Sequence, residues 1–328
     1  MLDKNHALDH TRGKSSLEKF DVRQVSPFIY KSISEETRRS YKRVVKEFFA
    51  FVSNVQPSLV EAADVLSFRD SLISQGKRPA TVAFKLSVIR SLFDYLKASG
   101  HVAHNPAETK LVPPPALAED LRGRALTLKE VRYLLSGPDR RKAEGARDYA
   151  IMLLLLRTSM RVAEACSLRK SSIKWINGRW TLKFKVKGGR ERTIPLPAEV
   201  KTGIEDYLKL DRDRRQMAKS GGKTADEWLF QPLQNYRTLC YNKSLSTTMV
   251  WYIVSKWGKF TGVGKLSPHD LRRTAITTAL DCGLSYRQVQ MMSGHKDPKT
   301  VMRYDHGREN LEQNAINYFD YEQHEKRS

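Results

Sequence analysis

Apolar positions recur with helical spacing through the first third of the chain. Tyr41, Val44, Val45, Phe48, Phe49 and Val52 follow the i, i+3, i+4, i+7 rhythm of an amphipathic helix. Ser32 and Glu35 have the spacing of a capping box ahead of it. A second helical stretch covers about Ser58 to Ser74 and stops at Gly76. A third starts near Thr81, sets Val82, Leu86, Ile89, Leu92, Phe93 and Leu96 on one face, and ends at Gly100. These patterns predict a helical bundle over residues 30–109. Residues 1–29 lack a clear period and are expected to form a flexible tail.

Residues 110–123 contain Pro113-Pro114-Pro115 and no helical period, which predicts a linker. Thr127 and Glu130 then have capping-box spacing and open a larger domain, residues 124–328. The run Ala150-Ile151-Met152-Leu153-Leu154-Leu155-Leu156, bounded by Tyr149 and Arg157, fits a buried helix. Trp180 to Val186 alternates apolar and polar residues, Gly188-Gly189 supplies a turn, and Glu191 to Leu196 returns as the second strand of a hairpin. Lys209 to Lys223 reads as an exposed helix end and loop, and the pattern is helical again from Pro268. Arg308 to Phe319 is a last helical stretch with Leu311, Ala315, Ile316 and Phe319 apolar. The expected fold class is an α-helical N-terminal bundle, then a mixed α+β, mostly helical domain with a small antiparallel sheet.

Composition adds a partner. The 328 residues hold 58 Lys+Arg against 36 Asp+Glu, a formal net charge of +22. A surplus this large favours a polyanion. Arg38, Arg39, Lys42, Arg43 and Lys46 share the polar face of the first helix, and Lys85 and Arg90 lie off the apolar face of the third. These residues are expected to contact double-stranded DNA. No apolar run approaches the roughly 20 residues that span a bilayer, and residues 1–20 lack the apolar core of a signal peptide. The expected location is therefore cytoplasmic, with no membrane partner. Cys166, Cys240 and Cys282 are too far apart for metal-binding pairs and read as reduced structural residues.

The candidate chemistry lies in the second domain. Arg161 stands in Thr158-Ser159-Met160-Arg161-Val162-Ala163-Glu164, and Lys187 in Lys187-Gly188-Gly189-Arg190-Glu191-Arg192. His269 and Arg272 are three apart behind Ser267-Pro268, an N-cap followed by a first helical residue, so they share a helix face. His295 follows Gly294, and Tyr304 stands on a short helix that Asp297 caps and Pro298 opens. Two arginines, a lysine and two histidines can hold and polarise a phosphodiester without a metal, and a tyrosine hydroxyl can keep a broken strand as a covalent ester. Tyr318 and Tyr321 lack the preceding Gly-His context. A metal site on His269, His295 and His306 is disfavoured by Arg272 and Arg303, which would repel a cation.

The order and spacing of these motifs resemble the catalytic domain of tyrosine recombinases, the phage-integrase family, and residues 30–109 resemble its core-binding domain. The resemblance covers roughly residues 30 to 319. It departs at Ser159 and Met160, where the family has glycine and leucine, and at Ser293, where it has leucine ahead of Gly-His. It implies that Arg161, His269, Arg272 and His295 activate the phosphate, that Lys187 is the general acid, and that Glu164 buttresses the site. Tyr304 would form a 3′-phosphotyrosine and release a 5′ hydroxyl, exchanging strands through a Holliday junction with no cofactor. The resemblance further implies a C-shaped clamp on DNA and a synaptic tetramer, with the helix at 308–319 docked on a neighbour. The role expected first is the recombinase of a mobile element, with a chromosome-dimer resolvase as the alternative within the family. A type IB topoisomerase shares the chemistry. A non-catalytic regulator with a helix-turn-helix at 268–293 is the reading from another class.

Overall fold

A computed structural model describes residues 20–32, 34–116, 123–186, 188–210, 227–232 and 243–305. The chain divides into two compact units, Met1–Glu119 and Asp120–Ser328. Among the described residues no helix is long and apolar enough to cross a membrane.

The first unit is a bundle of α1 (Ser26–Tyr30), α2 (Glu35–Phe51), α3 (Ala62–Ser74) and α4 (Pro79–Ala98). Phe48 and Phe49 of α2, Phe68 and Leu72 of α3, and Ile89 and Phe93 of α4 meet in its core, each at most 2% exposed. Each such side chain contributes about 1.5–3 kcal/mol on leaving water. The sequence reading set residues 1–29 aside as a tail, but residues 20–29 belong to the bundle. A 3-10 turn at Val22–Val25 leads into α1, and Phe20, Val25, Phe28 and Ile29 are buried against the other helices. One turn of helix is too short to show a period, so only the tertiary contacts reveal it. Residues 1–19 lie outside the described residues. The first cap also shifts: Ser34, not Ser32, accepts the Thr37 N–H, while the Ser32 carbonyl accepts from Arg38 Nε at 2.6 Å.

Two of the basic residues assigned to DNA contact are engaged inside this unit. Lys85 forms an ion pair with Glu47 of α2 and its side chain is 12% exposed. Arg90 donates to the carbonyls of Ala107 at 2.8 Å and Val112 at 3.3 Å, tying residues 107–112 onto the bundle. Their partners are remote in sequence, so a helical wheel cannot anticipate them. Arg39 pairs with Glu35 one turn away, and Arg38 lies over the ring of Tyr30. Lys42, Arg43 and Lys46 stand exposed on α2.

The second unit is built around α6 (Ala143–Thr158), whose residues Ala150 to Leu156 are all buried. α5 (Leu128–Ser136) enters through the Thr127–Glu130 capping box. α6 packs against α8 (Ala198–Leu210) and against the helix that carries His269 and Arg272. Its Asp148 carboxylate, wholly buried, accepts from Trp257 Nε1 at 2.8 Å and so holds the helix at Thr247–Phe260. After α7 (Val162–Cys166) come three antiparallel strands in the order β1 (Ile173–Ile176), β2 (Arg179–Lys185) and β3 (Glu191–Pro195). Leu182 pairs with Ile194 and Lys185 with Glu191 across the predicted hairpin. β1 was not anticipated, because its residues are largely exposed and show no apolar alternation. Its signal was the dipeptide Asn177-Gly178: both have positive φ, as a two-residue hairpin turn requires. The unit continues with α9 (Thr247–Phe260), α10 (Pro268–Asp281), α11 (Tyr286–Ser293) and α12 (Pro298–Met302). The stretch Lys209 to Lys223 beyond Leu210, and the helix expected at 308–319, lie outside the described residues.

Candidate active site

Four of the six candidate residues line one cleft. Arg161, His269, Arg272 and His295 face a space of about 560 Å³, which Trp251 of α9 also lines. Arg161 caps the N-terminus of α7. Its N–H donates to Glu164 Oε2 at 2.9 Å, and its guanidinium meets Glu164 Oε1 at 3.1 Å. The Glu164 side chain is 7% exposed and that of Arg161 is 48% exposed. The carboxylate therefore anchors the guanidinium from behind and leaves it open to the cleft.

Arg272 is the buried counterpart, 4% exposed. It donates to the Ser159 carbonyl, to the Ser293 carbonyl at 2.9 Å, and to His295 Nε2 at 3.0 Å. Burial, then the nearby Arg161 charge, lowers its pKa to about 10, which still leaves it charged at neutral pH. Ser159 presents that carbonyl from a left-handed conformation, φ 51°, the geometry that accounts for glycine being usual there. Arg161 is thus held by a side chain of α7, and Arg272 by carbonyls that follow α6 and end α11.

The two histidines sit in this cationic field. Burial chiefly, then Arg272 and Arg161, pushes His295 down to about 4. His269 is lowered by partial burial, then by Arg272 and Arg273, although much of its surface remains exposed. The cationic field favours the neutral, proton-accepting form of both rings, while an arriving anion would favour their protonated forms.

Tyr304 lies beside this group but not in the cleft. It is 3% exposed and packs with Ile276, Val289 and Val301. Its ring stacks on His295 with centroids 5.9 Å apart, and the Arg273 guanidinium lies 5.6 Å from its centroid. The Tyr304 phenol is close enough for its charge to act on Arg272. Lys187 lies outside the described residues. The hairpin that carries it reaches a second cleft, which Arg161 and His295 also line.

Sequence reasoning passed over Arg192. Its Nη2 donates to the Met291 and Met292 carbonyls at 2.5 and 2.6 Å, closing the C-terminus of α11 just before Gly294. Burial lowers its pKa, against the opposing Glu164 charge, and the Arg161 charge adds to the lowering. The available signal was strand alternation: Arg192 shares the inward face of β3 with buried Ile194. Among the described residues no group of three His, Cys, Asp or Glu side chains could hold a metal ion.

Comparison with known proteins agrees with this architecture. Residues 124–310 match the phage integrase family and residues 28–100 its N-terminal SAM-like domain. The chain is 33% identical to "Tyrosine recombinase XerC" of Thermodesulfovibrio yellowstonii over 85% of its own length and 88% of the relative's. It is 30% identical to "Tyrosine recombinase XerD" of Staphylococcus haemolyticus, over 85% and 90%. In fold it resembles a XerH site-specific recombinase bound to palindromic difH substrate, with TM-score 0.69, 20% identity and coverage of 90% and 84%. It likewise resembles a lambda integrase dimer bound to a COC′ core site, with TM-score 0.65, 18% identity and coverage of 88% and 95%. With the family motifs gathered around one cleft and the match running through both units, the chain belongs to the phage integrase family of tyrosine recombinases.

Proposed function

We propose that this recombinase cuts and rejoins DNA at specific sites through a 3′-phosphotyrosine on Tyr304. The observation that carries the reading is the convergence of Arg161, Arg272, His269 and His295 on one cleft beside Tyr304. Two guanidiniums offer fixed donors to the non-bridging oxygens of a phosphodiester and to the charge that grows on them during attack. The phenol oxygen forms the new bond to phosphorus, and the bond from phosphorus to the 5′ oxygen breaks. The His269 imidazole is the available acceptor for the phenol's proton, and Lys187 gives a proton to the leaving oxygen. The ester conserves the bond, so the released 5′ hydroxyl of a partner strand can reverse the step. Residues 124–328 carry the chemistry in this reading, and residues 30–109 hold DNA through Lys42, Arg43 and Lys46.

For the biological role, the names XerC and XerD borne by relatives across most of the chain favour a chromosome-dimer resolvase. The mobile-element recombinase expected first from the sequence is the second reading. A nicked suicide substrate tests the chemistry. Wild type should form a covalent protein–DNA adduct and Tyr304→Phe should bind the site without one. An equal adduct yield in the variant would remove Tyr304 from this role.

A further inference from the structure

The residue ahead of Gly294-His295 is a serine where the family pattern has leucine, and its hydroxyl is in the site. Ser293 is fully buried, and its Oγ lies 2.9 Å from His295 Nδ1. The other ring nitrogen, Nε2, is 3.0 Å from Arg272 Nη2. A guanidinium can only donate, so Nε2 must present its lone pair. The ring is neutral, so its proton is on Nδ1 and is donated to Ser293 Oγ. The serine's own proton has an acceptor in the Gln290 carbonyl at 3.4 Å. The Gln290 side chain in turn donates to the His295 and Lys296 carbonyls at 3.1 and 3.2 Å, holding the turn in place.

We propose that Ser293 is a positioning residue of this recombinase: its hydroxyl keeps a proton on His295 Nδ1, so that Nε2 is the ring nitrogen that takes up a proton from solvent and donates it to a phosphodiester oxygen. The inference rests on the reading of the cleft as a phosphodiester site. The serine serves both states of the ring. The neutral imidazole and the imidazolium each donate from Nδ1 to Oγ, so once a bound phosphate draws the Arg272 donor away from Nε2, proton uptake there requires no ring flip. Alanine or leucine at this sealed position would leave Nδ1–H without an acceptor. The ring would then move its proton to Nε2, against the Arg272 donors, or turn over.

Nitrogen-15 spectra of histidine-labelled full-length protein, with His295→Gln for assignment, test the bond directly. Wild type without DNA should show His295 Nδ1 protonated and Nε2 unprotonated, and Ser293→Ala should lose that pattern. In single-turnover cleavage of a nicked site, Ser293→Ala should be slower by about 10-fold or more, in the range for loss of a group that orients a functional histidine. Its DNA affinity should stay within about 2-fold, and Ser293→Thr should recover both spectrum and rate. An unprotonated Nδ1 in the wild type, or an alanine variant that keeps wild-type spectrum and rate, would overturn the proposal. If wild type shows the expected spectrum yet forms no covalent adduct, the recombinase chemistry fails while the Ser293–His295 bond stands, so the two failures are told apart.

Discussion

At the scale of residues, the two cleft arginines are built for different tasks. Arg161 is half exposed and turns its guanidinium to the cleft, and its partner Glu164 is buried, so Arg161→Ala must be shown folded before its rate is read. Arg161→Ala should slow single-turnover cleavage about 10²–10³-fold, the usual loss for one transition-state donor, while DNA affinity falls much less. Unchanged cleavage would make Arg161 a structural partner of Glu164. His295 carries a pH signature. Its ring faces Arg272, Arg161, His269 and Arg192, and its pKa is about 4, below the ordinary histidine value of about 6.5. The unfolded chain therefore takes up this proton first as pH falls, and folding stability is lost from about pH 6.5 down to about 4. Melting temperature should drop more steeply across that window in wild type than in His295→Gln. Parallel profiles would show that His295 is not desolvated in the cationic field. Arg161, His269, Arg272, His295 and Tyr304 were legible in the sequence because short motifs surround each. Arg192 and Ser293 were not, since their partners lie on other elements or their hydroxyl work depends on a ring orientation no motif encodes.

At the scale of elements, the turn after α11 is where helix termination and site geometry meet. Gly294 has φ 68°, and a Cβ placed there would lie 2.5 Å from Arg192 Nη1. Gly294→Ala combines a left-handed backbone cost of about 1–2 kcal/mol with displacement of the guanidinium that closes α11. In denaturant titrations it should destabilise wild type more than it destabilises an Arg192→Ala background. Equal losses in both backgrounds would mean that only the backbone cost is felt. Local rules were sufficient for the Thr127 capping box, the Ser267 N-cap, the β2–β3 hairpin and Asp297-Pro298, because every interaction lies within a few residues. They failed at α1, one turn long, and at Lys85 and Arg90, whose partners are Glu47 and the carbonyls of residues 107 and 112.

At the scale of the whole molecule, two units are joined in one chain with a net charge of +22. Such a chain should bind DNA with strong salt dependence, since neutralising phosphates releases counterions. We propose that assembly on DNA uses the stretch 308–319, whose sequence spaces Leu311, Ala315, Ile316 and Phe319 at helical intervals. Truncation after Arg308 should leave a protein that binds one half-site but no longer fills a full site cooperatively in gel-shift series. Retained cooperativity and strand exchange would place that stretch within its own protomer. The central claim, that Tyr304 becomes joined to DNA, is tested most directly by mass spectrometry of the trapped adduct. After nuclease and protease digestion, the account predicts a nucleotide linked to the peptide that carries Tyr304, through a 3′ phosphate. A nucleotide on any other residue, or a 5′ linkage on Tyr304, would contradict it.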